Sequence, residues 1–186
     1  MAIAIPRHRF TVDEYYKMAE TGILAPRQRV ELIEGEVVDM TPIGRRHMAC
    51  LDRLAELFFS ALLGRAIIRT QGALRLGEHS EPQPDLVILK RRADYYADVD
   101  AGPDDALLVV EVADTSEHYD RLTKVPLYAR AGIPELWLVD INAMTVTVYR
   151  QPRADGYADV RVYASDEPLS PLAFPDLVLT PARILG

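Results

Sequence analysis

The chain has one cysteine, one tryptophan and no long apolar run in 186 residues. A lone thiol, Cys50, excludes an internal disulfide and agrees with a reducing compartment. No stretch of about 18 apolar residues is present to span a bilayer. The start, Met1 to Phe10, carries Pro6, Arg7, His8 and Arg9 and no apolar segment of leader length. A cytoplasmic protein without a membrane partner is the expectation. Excess positive charge is missing too: 21 Lys and Arg stand against 28 Asp and Glu, a net charge of −7. Proteins that coat nucleic acid draw their affinity from cations that displace counterions, so this balance speaks against that class. It leaves room for an enzyme with a locally basic cleft. Repeats and low-complexity segments are also lacking.

What is present suffices for a full core. With 49% apolar residues the chain reads as one domain over residues 1–186. Its organising stretch is Leu107-Leu108-Val109-Val110-Glu111-Val112-Ala113, apolar and mostly branched without polar alternation, which predicts a strand buried on both faces. Glu111 interrupts it. A buried, unpaired carboxylate costs several kcal/mol, at roughly 2–7 even for a neutral polar group, so Glu111 must be neutralised, hydrogen-bonded or placed beside a cation.

Around this strand the signals alternate between helix and sheet. Thr11 and Glu14 form a capping box with Phe10 and Tyr15 as staple, and Gly22 stops that helix. Val30 to Met40 predicts a hairpin around Glu34-Gly35 that carries Glu31, Glu34, Glu36 and Asp39. A helix is expected over His47 to Leu63, with Met48, Leu51, Leu54, Ala55, Phe58 and Leu62 as its buried stripe. Cys50 falls on the apolar side and reads as a structural thiol. His47 reads as a surface or capping residue. Strands follow at Ala66 to Leu76 and Leu86 to Leu89, the second entered through Pro84-Asp85. Lys90 to Asp105 is a polar excursion. Beyond the organising strand comes a helix ending at Gly132, in which Pro126 is tolerated only near a regular start at about Thr123 and otherwise kinks it. Strands are expected at Leu136 to Val139, Thr145 to Arg150 and Tyr157 to Tyr163. The tail, Leu169 to Leu185, should pack over the sheet.

Two carboxylates on neighbouring strands, Asp85 and Glu111, repel unless a cation lies between them. Few hard oxygen ligands beside an open position suit Mg²⁺ or Mn²⁺. A lysine on the next helix, Lys124, would orient a water or stabilise charge on a phosphoryl group in flight. Together these residue types make sense as a phosphodiester-hydrolysing site.

Pro84-Asp85 followed by Glu111-Val112-Ala113 resembles the signature of the PD-(D/E)XK nuclease superfamily, the restriction-endonuclease-like fold. Glu31-Leu32-Ile33-Glu34-Gly35-Glu36, Glu111-Val112-Ala113-Asp114, and the block from Tyr119 through Lys124 and Tyr128 to Trp137 resemble more closely the Uma-type endonuclease family. The resemblance covers about Phe10 to Arg150. It implies an α/β (α+β) fold with a mixed β-sheet core flanked by helices, preceded by a helix and a hairpin. It also implies a Mg²⁺-dependent DNA endonuclease in which Asp85 and Glu111 hold the metal, with the Val112 carbonyl as an additional ligand. The superfamily lysine belongs two residues after the strand glutamate, where this chain has Ala113; Lys124 takes that place from the helix. Glu31 matches an acidic residue brought in from an N-terminal element, and Tyr128 resembles a tyrosine of the helical motif, with packing as its other reading. A homodimer would suit a duplex substrate. Two other readings stand beside this one: a nuclease-like module that binds nucleic acid or protein without cutting, and an unrelated α/β protein in which Lys124 merely neutralises Glu111.

Overall fold

A computed structural model describes residues 7–25, 28–114 and 117–186. Most of the Met1 to Phe10 segment, and positions 115 and 116 of the link after the organising strand, lie outside the described residues. Helix α1 (Val12–Glu20) opens the described chain, with the Thr11–Glu14 capping box formed as expected. Strands β1 (Val30–Ile33) and β2 (Glu36–Asp39) make the hairpin. Gly35 is required at its turn: φ is +80°, and a Cβ there would come within 2.6 Å of the Arg9 Cβ. The hairpin is fastened to the segment before β4 by a bridge between Leu32 and Glu81.

The second sheet is mixed and has six strands: β3 (Ala66–Thr70), β4 (Leu86–Lys90), β5 (Ala106–Ala113), β6 (Glu135–Asp140), β7 (Thr145–Arg153) and β8 (Gly156–Ala164), in that spatial order. Only β5 and β6 run parallel; every other pairing is antiparallel. A parallel pair needs a crossover, and the helical segment between β5 and β6 supplies it. The fold is α+β, helices flanking a mixed sheet.

Alternation along β5 explains why both of its faces read as apolar. Leu108, Val110 and Val112 enter one core with helix α2 (Arg45–Leu62) and with Leu169, Phe174, Leu179 and Ile184 of the tail. Val109 and Ala113 enter the other, with Val125 and Tyr128 of helix α4 (Val125–Arg130) and with Tyr96 of the excursion. The organising strand is therefore roofed on both sides, as its composition demands.

Three expectations need correcting. The α2 stripe is Cys50, Leu51, Leu54, Phe58 and Leu62, while Met48 is exposed and Ala55 half-buried. The helix begins two residues earlier than expected, and its inward face is centred on residues 47, 50, 54 and 58, one position off Met48. The strand from Ala66 ends at Thr70 rather than Leu76, because Gln71 turns to φ +50°. Finally, the regular helix after β5 begins at Val125 rather than about Thr123, which still keeps Pro126 in its first turn, and the segment as a whole is irregular. It starts as a short α3 (Glu117–Tyr119), widens into a π-helical turn (Asp120–Lys124) and becomes α4. Pro126 has no N–H and its ring would crowd the carbonyl of Leu122; the widened turn absorbs the misfit. There the Val125 N–H donates to the Asp120 carbonyl, five residues back.

Cys50 is fully buried, and burial pushes its thiol up to about 11. A thiol reagent is expected to leave the native protein unmodified and to label one thiol per chain after denaturation, readable by intact mass. Rapid native labelling would show that α2 lies elsewhere.

Candidate active site

The register Leu86↔Val110 and Val87↔Val109, carried one residue further, sets Asp85 opposite Glu111. Pro84 keeps the chain extended into this position, and the Asp85 carbonyl accepts a hydrogen bond from the Gln71 N–H at 2.9 Å. The Asp85 side chain is fixed from two sides: Oδ2 accepts from the Val112 N–H at 2.8 Å and lies 3.1 Å from His47 Nε2. Glu111 is almost completely buried, and its Oε1 accepts a 2.7 Å hydrogen bond from the Tyr128 hydroxyl.

Lys124 closes the group. Its Nζ lies 3.3 Å from Glu111 Oε1 and 3.3 Å from Glu31 Oε2, and all three side chains are buried. Glu31 reaches this point because β1 is buried along its whole length, and the Gln83 N–H donates to its Oε2 at 3.1 Å. All four residues singled out in the sequence thus meet, with Tyr128 on the same carboxylate oxygen as Lys124. Ala113, where the lysine of the general signature would stand, is fully buried in the cluster that contains Val125. A long ammonium side chain at that position would have to displace α4, so the cation comes from the helix.

Electrostatically the site is strained in one direction. Burial, reinforced by Asp85, Asp120 and Glu31, pushes the Glu111 carboxyl above the ordinary carboxylate range against the pull of Lys124. The two glutamates, with Asp120 and Asp85, raise Lys124 above the ordinary lysine range despite its burial, so its ammonium stays charged. These residues line a cleft of about 410 Å³, whose wall also includes Arg29, His47, Asp114 and Tyr119. Glu31, Asp39, Asp85, Glu111, Asp114 and Asp120 line it, against Lys124 and Arg29 as its permanent cations.

That surplus of carboxylates would be relieved by a further cation. Among the described residues no three or more His, Cys, Asp or Glu side chains converge as a ready metal cage. Mg²⁺ does not ask for one, since it keeps several waters and binds through one or two carboxylates. Two buried polar atoms, His47 Nδ1 and the Tyr119 hydroxyl, have no protein partner in this wall, and waters of a hydrated ion are the partners such atoms take. Asp85 and Glu111 therefore fit Mg²⁺ or Mn²⁺.

Sequence reasoning read His47 as a surface or capping residue and met Tyr119 only as the first residue of the family-like block. A histidine in the first turn of a helix carries no local mark of function. Its distance of 38 residues from Asp85 along the chain hides the contact. Buried Asp120 stands in the same family-like block, one turn before Lys124, and no role was assigned to it from sequence.

Comparison with known proteins bears on what this cleft belongs to. The model of the Uma2 family, described as "Putative restriction endonuclease", matches residues 12–182. The chain belongs to the Uma2 family. The crystal structure of a protein titled a putative nuclease of DUF820, from Anabaena variabilis, is similar over 95% of this chain and 97% of its own, with a TM-score of 0.76 and 20% identity. At that identity the likeness speaks for the fold. No curated protein matches. The Uma2 assignment spans every residue of the cleft described above, from Arg29 to Lys124. None of the helices among the described residues is long and apolar enough to cross a membrane.

Proposed function

We propose that this Uma2 protein is a Mg²⁺- or Mn²⁺-dependent endonuclease that hydrolyses DNA phosphodiester bonds in the cytoplasm, with the Asp85–Glu111–Lys124–Glu31 cleft as its active site. The observation that carries the reading is Lys124 Nζ at 3.3 Å from both Glu111 and Glu31, beside Asp85, in an acid-rich cleft of a chain from a restriction-endonuclease family. Asp85 and Glu111 would hold such an ion, and it would supply Lewis-acid polarisation of a phosphoryl oxygen and acidification of a water.

The chain's own residues do the rest. The Val112 N–H and His47 hold the Asp85 carboxylate in one orientation. Tyr128 donates to Oε1 of the Glu111 carboxylate that lines the cleft and so fixes its orientation. Glu31, anchored by the Gln83 N–H, steadies the ammonium of Lys124. That ammonium then orients the attacking water or offsets charge that grows on the phosphoryl oxygens. A second reading, a nuclease-fold module that binds DNA or protein without cutting, draws on the net charge of −7 and on Ala113 in the place of the signature lysine.

The test is nicking of supercoiled plasmid by wild type and by Glu111→Ala purified identically. Wild type with Mg²⁺ or Mn²⁺ is expected to convert the plasmid, and the variant or a chelator to stop it. Activity that survives Glu111→Ala is contamination and sinks this site. A wild type inert on single- and double-stranded DNA with both ions leaves the binding module.

A further inference from the structure

We propose that β8 is the surface through which two copies of this chain associate. Its free edge would pair antiparallel with the same edge of a second copy, about a two-fold axis through Val160. The inference stands on the sheet edge and does not draw on the cleft, so it survives or fails independently of the nuclease reading.

β8 is nine residues long and ends the six-stranded sheet. Its outer backbone groups are a template for another strand, and proteins guard such edges with bulges, prolines, very short strands or charges. At the opposite edge β3 is five residues long and mostly half-buried. β8 contains no proline, and its pairing with β7 is regular from Thr145↔Ala164 to Arg150↔Asp159. Five consecutive residues, Ala158 to Val162, are exposed, so neither face of the strand is covered over that run. Val160 and Val162 are 51% and 55% exposed on the face shared with Tyr149. Asp159 and Arg161 are the only charges of the run, and they have opposite signs.

Those two charges specify the occupant. When a sheet continues across a two-fold axis normal to it, each face is preserved, so the axis must pass through a residue. Centred on Asp159 or on Arg161, the pairing sets like charges directly opposite each other, which destabilises a sheet. Centred on Val160, it sets Asp159 against Arg161 of the second copy twice, and Ala158 against Val162 of the second copy twice. Val160 then meets its own equivalent. The exposed run is symmetric about that residue, so the register that satisfies the charges also covers the exposed valines. Among the described residues of one chain Arg161 meets Glu167, at 3.9 Å with both side chains at least half exposed, and lies over the Tyr163 ring at 4.4 Å, surface contacts that compete weakly.

The test is sedimentation equilibrium of the full chain across the micromolar range. Wild type is expected to dimerise. Asp159→Arg and Arg161→Asp should each weaken self-association at least about tenfold, since each replaces two attractive cross-strand pairs by two repulsive ones. Circular dichroism should be unchanged, because both side chains are at the surface; melting is expected to fall slightly, since association stabilises the native chain and Asp159→Arg sets an arginine opposite Arg150. An equimolar mixture of the two variants should associate again, as one chain then presents only arginine and the other only aspartate. A wild type that stays monomeric overturns the proposal. So does a dimer indifferent to both reversals, or single variants that do not complement each other in the mixture.

Discussion

Lys124→Met is expected to lower DNA cleavage by at least about a hundredfold, the usual loss when one preorganised charge-stabilising donor is removed. Its effect on stability should be much smaller. Stripping one partner from a buried ion pair normally costs about 3–5 kcal/mol, because a bare charge stays behind. Here the group left behind is Glu111, whose carboxyl burial pushes upward against the pull of Lys124. Without the ammonium that pull is gone and the carboxyl rises further, so it takes up a proton more readily and escapes part of that penalty; a loss of about 1–2 kcal/mol is expected. Plasmid nicking and thermal melting, run side by side on one preparation, read both quantities. A variant that melts much earlier but keeps its specific activity when folded would make Lys124 a purely structural counterion.

Glu135→Ala should show the reverse pattern. This carboxylate is fully buried at the start of β6, and four donors converge on it. Arg150 reaches Oε1 through Nε and Nη2 at 2.9 and 2.7 Å; the Trp137 indole donates at 2.9 Å, and the Leu172 N–H donates to Oε2 at 2.6 Å. Removal strands a half-buried guanidinium, a fully buried indole N–H and the amide that pins the tail to the sheet. A loss of about 3–5 kcal/mol is expected, which for a chain of this size lowers the melting temperature by roughly 10 °C. Folded Glu135→Ala at low temperature should cleave at the wild-type rate, since Glu135 does not line the cleft. Equal stability of the variant and wild type, by urea titration, would count against this account.

The two glutamates show what the sequence could and could not reveal. Glu111 stood out because six apolar neighbours on one strand left it no local partner. Glu135 precedes Leu136-Trp137 at a strand start and reads like any carboxylate facing water. Its donors come from residues 137, 150 and 172, and only the folded chain brings them together. The same division runs through the cleft. Asp85 carried a local marker in Pro84, and Lys124 was reached through its motif. His47 meets Asp85 through tertiary packing and carried no marker, while Tyr119 lay in the family-like block with no role assigned to it. Elements with their own signals formed where expected, as the Thr11–Glu14 cap shows. The lost strand end after Thr70 turned on one positive φ at Gln71, a residue type that gives no warning of it.

The π-helical turn makes the cleft sensitive to chain length in a way that no substitution imitates. Successive residues of an α-helix are about 100° apart around its axis. Val125 and Tyr128 hold α4 against the sheet, so α4 cannot rotate. Removing one residue between Asp120 and Lys124 would therefore tighten the turn and rotate the upstream part of the helix. Lys124 would keep its place, whereas Tyr119 and Asp120 would be carried about a quarter turn out of the wall. Composition, net charge and core would be nearly unchanged. The phase of one helix is thus a separate coordinate of this site, and a one-residue deletion is the means of moving along it.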